Sequence, residues 1–536
     1  MPDSVSLGTH SEGVESAIAR LKDDRIVQRI WEADHTVWAP DSAEISDRMG
    51  WLTLPDTMRP ELRNIQRFAS EIAADDIRHV VLLGMGGSSL GPETLKRCFG
   101  AIGDAPELLA LDSTVPATVI AIRDSVDLSK TLFIVSSKSG STIEPNVLYK
   151  YFRNLVDDAV GLGNSGSRFV AITDAGTSLD MMGTEQGFRK VFRNPEDMGG
   201  RYSVLSYFGL VPAASTGIDI AALSASARAM EEACEPHIAI DRNPGLWLGA
   251  ALASLAQDGR DKLTLVTSPT LAGFGLWVEQ LIAESTGKDS TGIVPVTGEP
   301  LVDISHYCDD RFFVSLQLES EDSPELEAAK SQLESAGHPV VGYTLEDLHD
   351  LGGEFYRWEI ATAVAGHIMG IQPFNQPNVQ QAKDLTDAEL VRYRDSGELP
   401  DNGPVGSLES LLESAEPGAY LAILAYMPES KETNRSFAKL RQQITERTGI
   451  ATTLGYGPRY LHSTGQLHKA GPNSGLFLQV TISDSADLEI PGESYSLKVL
   501  ADAQSAGDGR ALIAANRRFA RVVLESEGDL DSLLAE

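Results

Sequence analysis

The feature that most constrains the fold is the stretch over residues 79–93, where an apolar run meets a glycine–serine loop that leads directly into a helix. Residues 80–83 predict a buried parallel strand. Gly84, Gly86 and Gly87 let the backbone turn sharply and bring its N–H groups close to an anion. The helix that follows would point its positive end at the same place. The stretch therefore predicts a strand–loop–helix unit of an α/β protein that carries an anion-binding loop.

Apolar runs alternate with helical patterns beyond this stretch, which is typical of parallel sheets with helices on both faces. We predict strands at residues 80–83, 108–111, 131–135 and 169–173, then at 263–266, 312–316 and 340–343. The predicted fold class is α/β, with two doubly wound parallel-sheet domains, helical extensions and a smaller C-terminal αβ portion. The predicted limits are 1–75 (helical extension), 76–235, 236–385 and 386–536.

The C-terminal portion mixes both kinds of pattern. Residues 421–426 and 476–482 predict strands, and residues 432–448 and 511–525 predict helices. The polar tract over 384–407 is interpreted as a boundary between this portion and the rest of the chain.

Charge limits the possible partners. The 536 residues include 77 acidic and 44 basic ones, a net charge of −33, which argues against a surface for nucleic acid or another polyanion. Any phosphate site must therefore be locally basic. The acidity fits either a salty cytoplasm or simple solubility. With 42% hydrophobic residues, a chain of this length has enough apolar material for two or three cores.

The cysteines and the N-terminal residues indicate the cellular compartment. Cys98, Cys234 and Cys308 show no paired spacing, as expected of reduced thiols. The N-terminus lacks a basic start and an apolar core, and no run reaches the ~18–20 apolar residues of a membrane span. We therefore predict a cytoplasmic protein without a membrane partner.

The glycine loop alone leaves alternatives open. No Gly-Lys-Ser/Thr follows it, so it is not a nucleoside-triphosphate loop, and the dinucleotide fingerprint finds Ser89 where its third glycine should be. Asp112, after the next apolar run, could imitate the ribose-binding acid of a nicotinamide enzyme. A tight turn without any ligand is the other alternative.

A second loop, within residues 133–144, also predicts an anion site. Ser137, Ser139, Ser141 and Thr142 surround Lys138 where a helix should begin, which supplies hydroxyl donors and one positive charge for a phosphate monoester. The alternative is an ordinary serine-rich helix cap.

Together the two loops resemble the sugar isomerase (SIS) domain. Three further motifs resemble signatures of the glucose-6-phosphate isomerase family in the family's order: Met-Gly-Gly-Arg-Tyr-Ser-Val-Leu-Ser from residue 198, Gln-Leu-Ile-Ala-Glu-Ser-Thr-Gly-Lys from 280, and Phe-Asn-Gln-Pro-Asn-Val-Gln-Gln-Ala-Lys from 374. The resemblance implies two SIS domains and an aldose–ketose isomerase that interconverts glucose 6-phosphate and fructose 6-phosphate through a cis-enediolate. It also implies that neither a cofactor nor a metal is needed.

The resemblance implies roles for individual residues. Glu284 would be the general base, Arg201 would face the enediolate oxygens, Gln376 would lie on the phosphate side and Lys383 near the ring oxygen. The substrate-binding set would comprise Gly87, Ser88, Ser137, Lys138, Ser139, Thr142 and Gln376. Without the resemblance, Glu284 would be interpreted as a helix-end glutamate paired with Lys288 at i+4.

The family also uses a histidine to open the sugar ring. His306 lies at a suitable distance after Glu284 but lacks the Leu-His-Ser-x-Gly-Gln context of some relatives, which occurs at residues 461–466. We therefore favour His462, with His468 and His306 behind it. A neutral imidazole suits the step because it can accept one proton and return another. The alternative is a structural histidine in a tight loop.

The segment over 455–472 resembles the isomerase half of transaldolase/isomerase fusions. A transaldolase barrel needs ~250 residues, but only residues 1–75 precede the isomerase-like part, so we predict no transaldolase activity. The family also implies a homodimer in which the neighbouring subunit lends the histidine. A dual glucose/mannose 6-phosphate isomerase and a non-catalytic sugar-phosphate sensor remain alternatives.

Overall fold

A computed structural model describes residues 1–399, 405–483 and 486–534, apart from the side chains of 379–382 and 534. Its N-terminal segment begins with strand β1 (Ser4–Ser6). Four helices follow: α1 (Ser11–Asp23), α2 (Ile26–Trp31), α3 (Leu54–Met58) and α4 (Leu62–Ala74). The predicted N-terminal segment is therefore largely helical, as expected from its 3- and 4-residue apolar spacing.

The first sheet contains five parallel strands in the order β3-β2-β4-β5-β6. They are β2 (His79–Gly84), β3 (Glu107–Leu111), β4 (Thr131–Ser136), β5 (Phe169–Asp174) and β6 (Lys190–Asn194). The helices of this part are α5 (Leu90–Phe99), α6 (Pro116–Ser125), α7 (Ile143–Val160), α8 (Ser178–Glu185), α9 (Tyr207–Ser215) and α10 (Ile220–Ala233). Strand β4 is buried along its whole length, so both faces of the sheet are covered.

The second sheet has the order β1-β10-β9-β7-β8, with β1 antiparallel at one edge and the other strands parallel. Its strands are β7 (Lys262–Thr267), β8 (Val294–Val296), β9 (Arg311–Leu318) and β10 (Val340–Leu345). The helices are α11 (Pro244–Gln257), α12 (Phe274–Thr286), α13 (Pro324–Ser335), α14 (Leu351–Met369) and α15 (Pro377–Ser396). The N-terminal segment thus contributes a strand to the second sheet, which the sequence did not indicate.

The third sheet has four parallel strands in the order β12-β11-β13-β14. They are β11 (Tyr420–Tyr426), β12 (Ala451–Tyr456), β13 (Gly475–Ile482) and β14 (Arg518–Leu524). The helices are α16 (Leu408–Glu413), α17 (Lys431–Thr448), α18 (Gly465–Ala470) and α19 (Leu497–Ala514).

The structure bears on two predictions for the C-terminal portion. The predicted helix over 511–525 is wrong, because α19 ends at Ala514, Asn516 takes a left-handed φ of 54°, and β14 then pairs in parallel with β13. The predicted boundary tract over 384–407 begins inside α15, which extends to Ser396. Residues 400–404 of that tract lie outside the described residues.

The three sheets adjoin rather than stand apart. Glu299, after β8, pairs with Arg311 of β9 and accepts from the backbone N–H (2.7 Å) and hydroxyl (2.8 Å) of Thr452 on β12. One apolar core joins the N-terminal helices to the first two sheets, and α15 packs on α19. The predicted fold class is confirmed, and the limits of the individual domains remain predictions.

Candidate active site

The glycine loop and the serine loop begin side by side. Gly84, at the end of β2, pairs with Ser136, at the end of β4, and these neighbouring strands flank the point where the strand order of the first sheet reverses. Ligands of open α/β sheets bind in the crevice at such a switch point, outside the carboxyl ends of the strands. Both predicted anion loops therefore open onto the same crevice.

The hydroxyls of the serine loop do not cap the helix that follows. Thr142 occupies the N-cap position of α7 without a side-chain capping bond, and its hydroxyl instead lies 3.0 Å from that of Ser137. Ser139 and Ser141 hydroxyls also lie 3.0 Å apart. The simple capping alternative is therefore not supported by the geometry.

Lys138 is already paired in this structure. Its ammonium contacts the carboxylate of Asp174 and donates to the Glu196 carbonyl at 3.0 Å. These contacts tie the loop to β5 and to the segment after β6. The direct charge contact from Lys138 to phosphate stays a prediction.

Glu284 and Arg201 form a buried ion pair. One guanidinium nitrogen of Arg201 lies 3.1 Å from Oε1 of Glu284, and the two side chains are 2% and 11% exposed. The same guanidinium donates to Ser285 Oγ (2.8 Å) and to Gln376 Oε1 (3.0 Å). Lys288 instead donates to the Gln372 carbonyl at 2.5 Å, so the predicted alternative pair of Glu284 with Lys288 is replaced by the pair with Arg201.

The glycine loop touches the turn that carries Arg201. An added Cβ at Gly87 would come within 2.0 Å of the Gly200 carbonyl oxygen, so only glycine allows this approach. Gly86, with a φ of 56°, abuts His462 in the same way, since its Cβ would lie 2.8 Å from the His462 carbonyl. Ser88, next in the loop, is buried.

Gln280 joins the Glu284 side of the site to the histidine side. It lies one helical turn before Glu284 on α12, and its Nε2 donates to Glu284 Oε2 at 3.0 Å. The same nitrogen donates to the backbone carbonyl of His462 at 2.9 Å. The base candidate and the histidine-bearing turn are therefore held by one amide.

His462 pairs with a carboxylate that the sequence analysis assigned no role. Its Nε2 lies 2.9 Å from Oε1 of Glu144, in the first turn of α7. Burial acts to raise the pKa of Glu144, but the charge and hydrogen bond of His462, its own backbone N–H and Lys383 together hold that pKa below its usual range. The pair can therefore hold or pass a proton between a carboxylate and an imidazole.

Lys383 shares a cavity with this pair. The cavity measures about 290 Å³, and its lining includes Thr142, Glu144, Lys383 and His462. Ligand pockets usually measure ~300–1,000 Å³, so this one suits a small ligand.

Asp112 does not behave as the ribose-binding acid of a nicotinamide enzyme. It is buried and accepts two hydrogen bonds from Arg459, at 2.8 and 2.9 Å, and one from Ser89 at 3.3 Å. Arg459 begins the 3₁₀ turn that ends at His462. Asp112 therefore fixes the histidine-bearing turn against the first sheet.

The other two histidine candidates lie elsewhere. His468 is buried against Phe477, with ring centroids 5.1 Å apart, and burial holds its pKa well below the usual range. His306 lies in a 3₁₀ turn before β9, next to Gly449. Of the three candidates, His462 is the one that contacts Glu144 in the cavity.

His462 contacts Glu144 of its own chain. His462 and Glu144 are separated by 318 positions along one chain. This contact needs no neighbouring subunit, whereas the family resemblance implies that a neighbouring subunit lends the histidine. The C-terminal portion, by folding over the first sheet, supplies the group in cis.

Sequence reasoning missed three polar residues of this site: Glu144, Gln280 and Gln504. Gln280 and Glu284 share a helix face at i and i+4, a spacing that could have identified the glutamine. Glu144 follows the serine loop directly, so its place was readable but its partner was not. Gln504 carries no local signal, because its contacts are all distant in sequence.

Solved structures share this fold. A hypothetical protein from Thermus thermophilus aligns with a TM-score of 0.63 at 24% identity, over 74% of this chain and all of that chain. A glucose-6-phosphate isomerase from Chlamydia trachomatis aligns with a TM-score of 0.60 at 19% identity, over 72% of this chain and 86% of that one. These likenesses define the class of protein by its fold: an α/β protein built on paired, mainly parallel sheets.

Sequence relatives narrow the class. The family model of phosphoglucose isomerase matches residues 56–294. The glucose-6-phosphate isomerase of Symbiobacterium thermophilum is 31% identical over 384 residues, which cover 62% of this chain and 85% of that protein. That of a Staphylococcus aureus strain is 29% identical over 406 residues, 66% of this chain and 90% of that protein. The chain belongs to the glucose-6-phosphate isomerase family.

Proposed function

We propose that the protein interconverts D-glucose 6-phosphate and D-fructose 6-phosphate through a cis-enediolate. The observation that carries the proposal is the buried Glu284–Arg201 pair, linked by Gln280 to the turn of His462. A base for a carbon acid and a fixed positive charge for the resulting oxyanion lie within 3.1 Å of each other. This combination is what an enediolate intermediate needs.

The proton transfer follows from the positions of the two charged groups. Glu284 takes the proton from C2 of the open-chain aldose and returns it to C1, while the hydroxyl proton passes from O2 to O1, so that the carbonyl moves from C1 to C2. Arg201 stabilises the negative charge that develops on the enediolate oxygens, where a preorganised donor acts more strongly than on the neutral substrate. Both side chains are buried, which limits the access of water to the proton in transit.

Ring opening is assigned to the cavity beside this pair. His462, oriented by Glu144, accepts the anomeric hydroxyl proton, and Lys383 faces the ring oxygen that must be protonated. The substrate phosphate binds between Ser88 and the hydroxyls of Ser137, Ser139 and Thr142. Gln376 lies on the phosphate side and also holds Arg201.

The test is Glu284→Gln, which removes the base and keeps the shape. We expect kcat to fall at least ~100-fold, the lower range for loss of a general base, with KM nearly unchanged. The readouts are the coupled assay of fructose 6-phosphate formation and exchange of the C2 hydrogen with solvent deuterium. Wild-type protein that binds the sugar phosphate but neither isomerises nor exchanges it would contradict the function itself.

The setting of this activity is part of the proposal. We place the reaction in the glycolysis and gluconeogenesis of the cytoplasm and expect a homodimer, as the family resemblance suggests. Among the described residues, no helix is both long and apolar enough to cross a membrane. The sole partner required by the chemistry is the sugar phosphate.

A further inference from the structure

We propose that Gln504 is a positioning residue for His462, acting through Glu144 as the middle link of a chain that starts at Thr114. The inference rests on the proposed function only in assigning the His462–Glu144 pair to ring opening. It concerns residues of the C-terminal helix α19 and of the loop after β3, outside the motifs that define the family resemblance.

Three consecutive hydrogen bonds form the chain. The Thr114 hydroxyl donates to Oε1 of Gln504 at 2.7 Å, and Nε2 of Gln504 donates to Oε1 of Glu144 at 2.7 Å. The same Glu144 oxygen lies 2.9 Å from Nε2 of His462. A carboxylate only accepts hydrogen bonds, so the amide nitrogen must face Glu144, and Thr114 occupies the amide oxygen. The orientation of Gln504 is thereby fixed at both ends.

These links are largely shielded from water. Thr114 is 0% exposed, and Gln504 and Glu144 are each 2% exposed. The second carboxylate oxygen of Glu144, Oε2, has no hydrogen-bond partner among the described residues. The donors on Oε1 therefore decide how the carboxylate is turned, and loss of one leaves a buried lone pair without compensation.

One helix aligns both members of the His462–Glu144 pair. Gln504 holds Glu144, and Asp508, one turn later on α19, accepts from the hydroxyl of Tyr460 at 2.7 Å. Tyr460 lies in the 3₁₀ turn that ends at His462. Residues at i and i+4 share a helix face, so α19 fixes the distance between the carboxylate and the imidazole.

The titratable surroundings of Glu144 are few. His462, Lys383 and Asp387 line the same cavity, and Tyr426 lies near enough for its pKa to be affected by the Glu144 charge. Thr114 and Gln504 are both uncharged, so they can position the Glu144 carboxylate without adding a charge to the cavity.

The central experiment compares Gln504→Met with Gln479→Met. Gln479 is equally buried and donates to the Ser505 carbonyl at 2.9 Å, so it is a matched control in the same portion of the fold. We expect Gln504→Met to lower kcat for glucose 6-phosphate about tenfold, as for loss of a hydrogen bond to a charged group, with KM within about twofold. Inhibition by an acyclic aldonate phosphate, which needs no ring opening, should be unchanged, and Gln479→Met should retain kcat.

Two further variants test the order of the links. Thr114→Val should lower kcat in the wild-type background and have no added effect in Gln504→Met, because both act through the same amide. Gln504→Glu keeps the shape and the acceptor for Thr114 but opposes a second carboxyl to Glu144, so its kcat should fall at least as far as that of Gln504→Met. Additive effects of Thr114→Val and Gln504→Met would contradict the proposal that Thr114 acts on Glu144 through Gln504.

A readout independent of activity separates this inference from the proposed function. In protein with ¹³C-labelled glutamate carboxyls, the pKa of Glu144 should rise by about 1 pH unit in Gln504→Met and stay constant in Gln479→Met. An inactive wild type would defeat the proposed function and leave this measurement valid. An unchanged Glu144 titration, or a kcat equal to that of the control, would overturn the role of Gln504.

Discussion

Glu279 illustrates how a single buried carboxyl beside the site affects stability. It precedes Gln280 on α12, and burial raises its pKa to about 7, against a hydrogen bond from Thr297 at 3.0 Å and the charges of Arg441 and Arg459. The folded state therefore holds a proton that the unfolded chain releases near pH 4.5. Stability contributed by this group is present at pH 4.5 and is lost as pH rises towards 7.

Glu279→Gln removes that loss. We expect the variant to be more stable than the wild type at pH 8 by about 1–3 kcal/mol, since each pH unit corresponds to ~1.4 kcal/mol, and to show little gain at pH 4.5. Urea unfolding at both pH values measures the difference. Glu15→Gln, at an exposed position on α1, serves as the control and should leave the pH dependence as it is. An equal gain at both pH values would contradict a protonated Glu279.

Some residues of the site could be predicted from the sequence alone. Arg201, Glu284 and His462 were recognisable because each lies in a motif, and the structure places all three in a connected set. Glu144 and Gln504 were not recognisable as a pair, because 360 positions separate them. Lys138 had the expected residue type, but its partner Asp174 comes from a different strand. The residue types of a loop can be read from the sequence, but contacts between residues far apart in the chain have no local sequence pattern.

At the scale of elements, the contact between the glycine loop and the 3₁₀ turn over Gly200–Tyr202 determines where Arg201 lies. The backbones meet at Gly87 and Gly200 with no room for a side chain on Gly87. At Gly200 itself, an added Cβ would have no atom within 4 Å. Gly200 thus has room for a methyl group, whereas Gly87 has none.

Gly87→Ala should therefore push the loop away from the Arg201 turn. We expect a loss of about 1–3 kcal/mol in the free energy of unfolding, typical of overpacking, together with a kcat at least tenfold lower. Gly200→Ala is the matched control and should change both quantities little. Comparable damage from the two variants would show that the close approach at Gly87 does not matter.

Strands could be predicted where they are fully buried and therefore consist of a continuous apolar run. Strands β2 and β4 are continuous apolar runs, and their observed limits lie within one residue of the predicted ones. Strand β6, with Lys190 and Arg193, is too polar to stand out, and β14 follows an alanine-rich helix that masks its start. Strand β1 has three residues and is a strand only because β10 offers an edge.

At the scale of the whole molecule, one chain contains every residue proposed for the reaction. The third sheet adjoins the second through Glu299, and its turn over Arg459–His462 reaches the first sheet at Asp112 and Glu144. A homodimer, if formed, would hold two sites that are each complete. Catalysis would then not require dimer formation.

Mixing two inactive variants tests this completeness. When His462→Ala and Glu284→Gln chains are unfolded together, refolded and isolated as mixed dimers, we expect no recovery of activity, because each chain still lacks one group of its own site. Sites shared between subunits would instead restore one of the two sites in each mixed dimer, which is about half of the activity of a wild-type dimer. Mixed dimers of two wild-type chains carrying different tags control for losses during refolding.

The late position of His462 and Gln504 has a consequence for protein synthesis. A ribosome makes the loops after β2 and β4, then Arg201 and Glu284, long before it reaches α19. Domains fold as they emerge, N-terminal parts first, so the first two sheets can form around a crevice that still lacks its histidine. In the proposed mechanism, a nascent chain cannot open a sugar ring until its C-terminal portion has left the ribosome, and termination before the turn over Arg459–His462 yields a product without its ring-opening group.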